Sequence, residues 1–286
     1  MPVNNPQSAD RSYKFNYKML GVRFHRYLYG KGKTIEFIET EIPDTGQRKD
    51  IVVKVDGKTI QITEFMSKAL YDDKLFDIFD YHMSARNDPQ YASLEVQTGV
   101  VRIANPPHGK TEVEIDKNIT FHVDTIFTKQ RDGRKVLNTI VYKTITQEEL
   151  TDMEAIDLLI LPDMDIDMPI KSLMTMICCL IGNANIPDSD FKKKIILCEI
   201  RVLARFFKDD ELSGMIEMLK TQTKNSEVQR SIDKYGEGFD VIYFDGKADG
   251  KVDVARNLLK EGVEEEFISR NTGLSLDQIK NIKRKL

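Results

Sequence analysis

The 286-residue chain has no tryptophan, three cysteines, four histidines and no long apolar run. Each scarcity removes a class of protein. The least polar stretch, residues 173–184, is far shorter than the ~20 apolar residues a membrane span needs, so no transmembrane segment is expected. Cys178, Cys179 and Cys198 are odd in number and sit in apolar, helical-looking sequence, which fits reduced buried thiols and excludes a disulfide scaffold. The opening residues lack a basic segment followed by an apolar core, so no secretory leader is expected and a cytoplasmic location follows. His25, His82, His108 and His122 are scattered and none lies at zinc-ligand spacing from a cysteine. The phosphate-binding and dinucleotide-binding glycine patterns, GxSxG, HExxH and paired CxxC are all missing. No repeat of 20 to 50 residues recurs, which excludes solenoids and propellers.

What is present is a globular composition, 41% hydrophobic and 31% charged, at a length suited to one large domain or two smaller ones. The net charge of −4 means that any nucleic-acid site is a local feature. Charge is unevenly placed: residues 1–34 carry seven Lys or Arg against one acid, Asp10, whereas residues 144–170 hold eight acids and no base. Asp163, Asp165 and Asp167 mimic the start of a calcium loop, but Met168 stands where its glycine belongs and Met174 where its glutamate belongs. A solvated acidic bend or helix start is therefore expected there.

Residues 13–29 have the spacing of a helix interrupted by Gly21. Alternation at Ile35 and Phe37, at Ile51, Val53 and Val55, and at Ile60 and Ile62 predicts three strands, with Asp56-Gly57 turning the second into the third. A helix is expected over 67–83, then strands over 92–103, 111–115, 120–128 and 135–145. Beyond Gln147 strand signals vanish, and helices are expected over 169–181, 188–207, 210–222 and 226–234. The fold class expected is α/β, a mixed sheet with flanking helices followed by an all-helical C-terminal region. Three regions result: an α/β domain over 1–147, a helical region over 148–244 and a helical tail over 245–286. In the tail, Gly273 suits a left-handed turn and Ser275 an N-cap, which gives a helix-turn-helix shape. Asp277 opposes DNA reading by its second helix, whereas Leu274, Leu276, Ile279 and Ile282 favour packing or homo-oligomer contact through the C-terminal helices.

The hairpin carries the chemistry. Asp50 precedes its first strand and Glu64 ends its second, so the open end can bring two carboxylates onto one divalent cation; oxygen donors suit Mg²⁺ or Mn²⁺. A two-residue turn would put Glu64 on the opposite face, whereas a three-residue loop over Asp56 to Lys58 pairs Asp50 with Glu64. The three-residue loop is the expectation, because both acids then share one side. The plain alternative is that Asp50 and Glu64 are solvated strand ends.

The run D-x-V-V-K-V-x-G-K-x-I-x-I-T-E-F, from Asp50 to Phe65, resembles the PD-(D/E)XK nuclease superfamily as it occurs in the recombination-promoting nuclease and transposase-like family. Asp157-Leu-Leu-Ile-Leu-Pro162 is similar to a downstream element of that family. Residues 250–262 and 267–279 are similar to its C-terminal tail. The resemblance implies a metal-dependent DNA endonuclease in which Asp50 and Glu64 bind Mg²⁺ or Mn²⁺. It also implies a Lys or Gln two residues after the glutamate, where this chain has Met66. A thioether neither donates a hydrogen bond nor carries positive charge. Lys68 is the substitute nearest in sequence, Lys54 lies near the turn, and Glu36, Glu39 and Glu41 are the candidates for an earlier acid. Two functions stand open: an endonuclease, and a nuclease-fold protein without catalysis that binds DNA or a partner.

Overall fold

The computed structural model describes residues 6–38, 50–67, 70–103, 110–223, 229–230 and the single positions 259, 265, 279, 280 and 283. The chain forms two compact units, Met1–Gln229 and Arg230–Leu286. The change of composition at residue 147 thus falls inside the first unit. No helix of the described residues is long and apolar enough to cross a membrane.

The first unit opens with helices α1 (Pro6–Leu20) and α2 (Val22–Tyr29), separated by Gly21 at φ +57°. Strands β1 (Ile35–Phe37), β2 (Ile51–Val55) and β3 (Thr59–Met66) follow, then α3 (Asp72–Asn87) and β4 (Glu95–Arg102). A small antiparallel pair, β5 (Glu112–Asp116) and β6 (Ile119–His122), precedes β7 (Asp124–Phe127). The main sheet has the order β1-β2-β3-β4-β7. Its first three strands are antiparallel neighbours, while β4 runs parallel to β3 and β7 parallel to β4. The parallel β3–β4 step needs a crossover, and α3 supplies it. The fold is therefore α/β with a mixed five-stranded sheet, flanking helices and a helical remainder.

The hairpin loop has three residues. Val55 pairs with Thr59, and the Lys58 amide donates to the Val55 carbonyl at 3.0 Å. Asp56 and Gly57 both take positive φ, which Asp tolerates and Gly favours. The Asp56 carboxylate accepts the Lys33 and Thr34 amides at 2.9 and 2.8 Å, tying the loop to the segment that enters β1.

Aromatic side chains of α1 and α2 cover one sheet face. Tyr13 and Tyr17 pack on Phe24 and on Phe65 of β3. On the other face Tyr81 and Ala85 of α3 pack with Ile60, Ile62 and Val96, and Leu75 and Ile78 with Val100.

Residues 135–145, expected as a strand, are instead part of α4 (Gly133–Thr146). Many of them are β-branched, which suggests a strand, but the buried positions are Leu137, Ile140 and Thr144, one helical stripe. The Asp132 carboxylate caps that helix by accepting the Lys135 amide at 2.9 Å. Helices α5 (Asp152–Ile160), α6 (Ile170–Asn183), α7 (Ser189–Phe206) and α8 (Asp209–Gln222) complete the unit, α5 opening with a Thr151/Glu154 capping box.

The expected solvated bend at Asp163 is corrected: this carboxylate is buried and receives both terminal nitrogens of Arg205 on α7, at 2.8 and 2.7 Å. The Tyr13 hydroxyl of α1 donates to it as well, at 3.2 Å. The cysteines are free thiols, Cys178 and Cys198 buried and Cys179 partly so.

Glu199 of α7 is fully buried and neither carboxyl oxygen has a hydrogen-bond partner among the described residues. Burial pushes its pKa well above the ordinary carboxylate range, with Arg205 opposing. A raised carboxyl stabilises the fold in its protonated form, fully at low pH, and that stability is lost as pH rises. Wild-type protein is therefore expected to lose up to about 1.4 kcal/mol for each pH unit above the ordinary carboxylate range from this group. Thermal unfolding of Glu199→Gln between pH 6 and 9 checks this: a slope as steep as that of wild type would remove Glu199 as its source.

In the second unit, positions 259, 265, 279, 280 and 283 are helical, Ile279 is fully buried, and Lys283 pairs with Glu265 at 2.7 Å. One of the tail's bases thus has an acidic partner within the tail. The turn at 272–275 and Asp277 lie outside the described residues.

Candidate functional site

The antiparallel register that runs from Val55–Thr59 to Ile51–Thr63 brings Asp50 beside Glu64 at the open end of the hairpin. The two acids hold one another's backbone. The Asp50 amide donates to Glu64 Oε1 at 3.0 Å, and the Phe65 amide donates to Asp50 Oδ2 at 2.9 Å. This clasp fixes both carboxylates where β2 begins and the parallel strands β3 and β4 reach their C-terminal ends, the usual ligand edge of an open α/β sheet.

Helices on opposite faces of the sheet each send a lysine to the pair. Lys14 of α1 contacts Asp50 Oδ1. Lys74 of α3 lies 3.8 Å from Glu64 Oε2 and 5.2 Å above the Tyr81 ring. Burial alone would lower Lys74, but Glu64, foremost among its neighbours, raises it above its usual value.

Glu64 is only 3% exposed. Burial first, and then the adjacent Asp50 charge, pushes its carboxyl up to about 7. Asp10 of α1 joins the same electrostatic group: burial raises it to about 6, Asp50 adds to the rise, and a Ser67 hydrogen bond and Lys14 oppose it. Its Oδ1 is buried without a partner among the described residues. Asp10 and Glu64, both raised, thus share an end of the sheet with Asp50.

Sequence reasoning missed Asp10. The available signal was its isolation, as the one acid among seven bases in residues 1–34, four residues before Lys14 on the same helical face. The acids considered in its place do not serve. Glu36 pairs with Lys54 away from the open end of the hairpin, and Glu39 and Glu41 lie outside the described residues. Met66 follows Glu64 on the same strand face, but packs against the cluster of Leu70, Leu75, Ile78 and Val100. Lys68 lies outside the described residues.

Whether these residues suit a divalent cation is a question of donor chemistry. All the acidic donors are hard carboxylate oxygens, and Glu64 and Asp10 are raised first by burial and then by the Asp50 charge, a repulsion that a cation would relieve. Among the described residues no three His, Cys, Asp or Glu stand together in a metal-holding group. Asp50 and Glu64 would suit such an ion only with water completing its shell.

Asp157, from the segment similar to the family's downstream element, is not part of the site. It lies on α5, where its Oδ1 accepts the Tyr27 hydroxyl at 2.7 Å and pairs with Arg131 at 2.5 Å. His82 and His122 line a separate cleft with Lys31, Thr98, Phe121 and Asp124. Comparison with family models, curated proteins and solved structures finds no match for this chain.

Proposed function

We propose that the protein is a metal-dependent DNA endonuclease of the recombination-promoting type, on a scaffold of the PD-(D/E)XK kind, with catalysis weakened by Met66. The observation that carries this reading is the clasped pair of Asp50 and Glu64, one of them buried beside a charge that repels it. The order of helix, three antiparallel strands, crossover helix and parallel strand supports it too.

Asp50 and Glu64 are the ligands for Mg²⁺ or Mn²⁺. When bound, such an ion lowers the pKa of its water and neutralises charge on the scissile phosphate. Asp10 holds negative charge, or a proton, at the edge of the site. Lys74 stands nearest to the role that Met66 cannot fill, as a positive charge fixed beside Glu64. Lys14, displaced from Asp50, is free to meet a phosphate oxygen.

Supercoiled plasmid with Mn²⁺ tests the reading. Wild type is expected to nick slowly, Asp50→Asn to be inert, and Met66→Lys to nick at least about tenfold faster, since a single preorganised donor is worth roughly 10² to 10³ in rate. The lysine stem can follow the apolar surface that Met66 covers now. Lys74→Met is expected to remove what activity wild type retains.

Met66 favours a second reading, a DNA-binding module of nuclease fold without chemistry. Wild type and Met66→Lys that both fail to cleave and fail to bind Mn²⁺ by calorimetry, while still binding DNA, would establish it instead.

A further inference from the structure

Strand β4 has more length than its outer partner covers. It pairs with β3 from Glu95 to Arg102, but with β7 only from Gly99 to Arg102. The Glu95 amide donates to the Lys58 carbonyl at 3.1 Å and the Ile103 amide to that of Met66 at 2.9 Å, so the odd-numbered residues of β4 turn their backbone groups to β3. The even-numbered ones turn theirs outward. Val100 and Arg102 meet β7 there, whereas the Val96 carbonyl and the Thr98 amide come before β7 begins and have no backbone partner among the described residues. The chain is kept off this stretch because Phe121 and His122, which lie just before β7, pair with Val113 and Glu112 of β5 instead. Val96 and Thr98 are only 9% and 7% exposed. A carbonyl and an amide so placed lie outside the ladder and largely out of bulk water, which costs free energy unless water or a ligand meets them.

Both residues line a cleft of about 260 Å³. His82 of α3 and Phe121 stand on the sheet face of Val96 and Thr98, while Lys31 and Gln97 reach it from the other face, so the cleft wraps the open edge. Phe121 is fixed by the Phe79 and His82 rings, with centroids 5.2 and 5.5 Å away, and His82 Nδ1 lies 3.1 Å from the Thr98 hydroxyl. Charge in the lining is balanced by Lys31, which donates to Gln97 at 2.6 Å, and Asp124, and His122 has Glu112 beside it at 2.9 Å. A neutral ligand suits such a lining. An added peptide strand would find only the Val96 and Thr98 positions before it met β7 at Asp124. The volume is also below the roughly 300 to 1,000 Å³ of sites for drug-sized ligands. A single flat ring system is what remains.

We propose that this cleft binds a purine base of the adenine type, edge-on to β4 and against the Phe121 ring. A carbonyl and an amide two residues apart on one strand edge set an acceptor beside a donor. Adenine carries the complement, an amino group to donate to Val96 and an adjacent ring nitrogen to accept from Thr98. The cleft is separate from the acid pair, so the inference goes beyond the nuclease reading and does not need it. A free nucleoside and an adenine in single-stranded DNA present the same edge, and the experiment separates these two sources.

The test uses the full chain in chelator, with hydrogen exchange at the Thr98 amide followed by NMR and affinity measured by calorimetry, adenosine and oligo(dA) being the probes. Exchange at Thr98 is expected to slow when a probe binds. Adenosine doubly methylated on its amino group should bind at least about tenfold weaker than adenosine, because the Val96 carbonyl is then left unpaired. Phe121→Leu keeps the apolar bulk and loses the ring. It should bind at least about fivefold weaker, the low end of what a base stacked on an aromatic side chain is worth. The methylated probe is read on wild type, so the test does not depend on how well the variant folds. Slowed exchange with adenosine assigns the site to a free nucleoside, and slowed exchange with oligo(dA) alone assigns it to a base of DNA. Unchanged Thr98 exchange with both probes, equal binding of the methylated probe, or equal binding by Phe121→Leu each overturns the inference. None of these results involves metal or cleavage, so the cleft and the nuclease reading stand or fall separately.

Discussion

Glu64→Gln is expected to abolish cleavage, by at least about a hundredfold as for loss of a metal-supporting group, and yet to make the protein harder to unfold in chelator at pH 8. The second effect follows from the Glu64 carboxyl, raised to about 7 by burial and by Asp50. A carboxyl whose folded-state pKa is raised contributes stability in its protonated form, present at low pH and lost as pH rises through 7. At pH 8 the buried charge costs on the order of 3 kcal/mol, and a neutral amide removes that cost while its oxygen still accepts the Asp50 amide. At pH 4 the two proteins should unfold alike. Mn²⁺ at about a thousand times its dissociation constant should reverse the order, because a ligand then adds about 4.1 kcal/mol to the protein that binds it. A variant less stable than wild type in chelator at pH 8, together with a wild type whose melting ignores Mn²⁺, would leave Glu64 as a strand-end cap and nothing more.

The second large effect lies away from the acids. Asp163→Asn should destabilise the first unit by about 3 to 5 kcal/mol, the range for breaking one side of a buried ion pair. Both partners are nearly covered, and the bond is bidentate. For a unit of this size that means a fall in melting temperature of roughly 10 °C. Arg205→Met should cost a similar amount, and the double variant clearly less than the sum, since no uncompensated charge then remains. Strictly additive losses would show that the pair is not coupled. A loss below 1 kcal/mol for Asp163→Asn would show that the pair is hydrated in solution.

Much of this unit was legible because its signals are local. Alternation at Ile51, Val53 and Val55 and at Ile60 and Ile62, with Asp-Gly between, is enough to place a hairpin, and the need to keep two acids on one side selects a three-residue loop. The free cysteines and the crossover helix were readable for the same reason. Residues 135–145 were not, because β-branched composition speaks for a strand while the cap that starts the helix is a single aspartate. The ion pair of Asp163 and Arg205 spans 42 residues and Tyr13 joins it from 150 residues away, so no window of sequence contains it. Asp10 escaped for a related reason: its isolation among bases and its spacing to Lys14 mark it, but its place beside Asp50 comes from the docking of α1. Lys74 was equally invisible, lying beyond Met66 on the next helix in sequence but beside Glu64 in space.

The dependence of α1 on α7 also orders events in time. The β2–β3 hairpin closes over three residues, so Asp50 and Glu64 leave the ribosome close together in time. Lys14 and Asp10 reach that pair on a helix whose docking partner, Ser189–Phe206, is made more than 120 residues later. At 5 to 20 residues per second that delay is on the order of ten seconds. For that interval Asp50 and Glu64 are made while the helix that carries Lys14 and Asp10 lacks its α7 partner. A chain cut short before α7 keeps the hairpin acids and loses the partner of α1, which ties the placing of Lys14 and Asp10 to completed synthesis of the helical half.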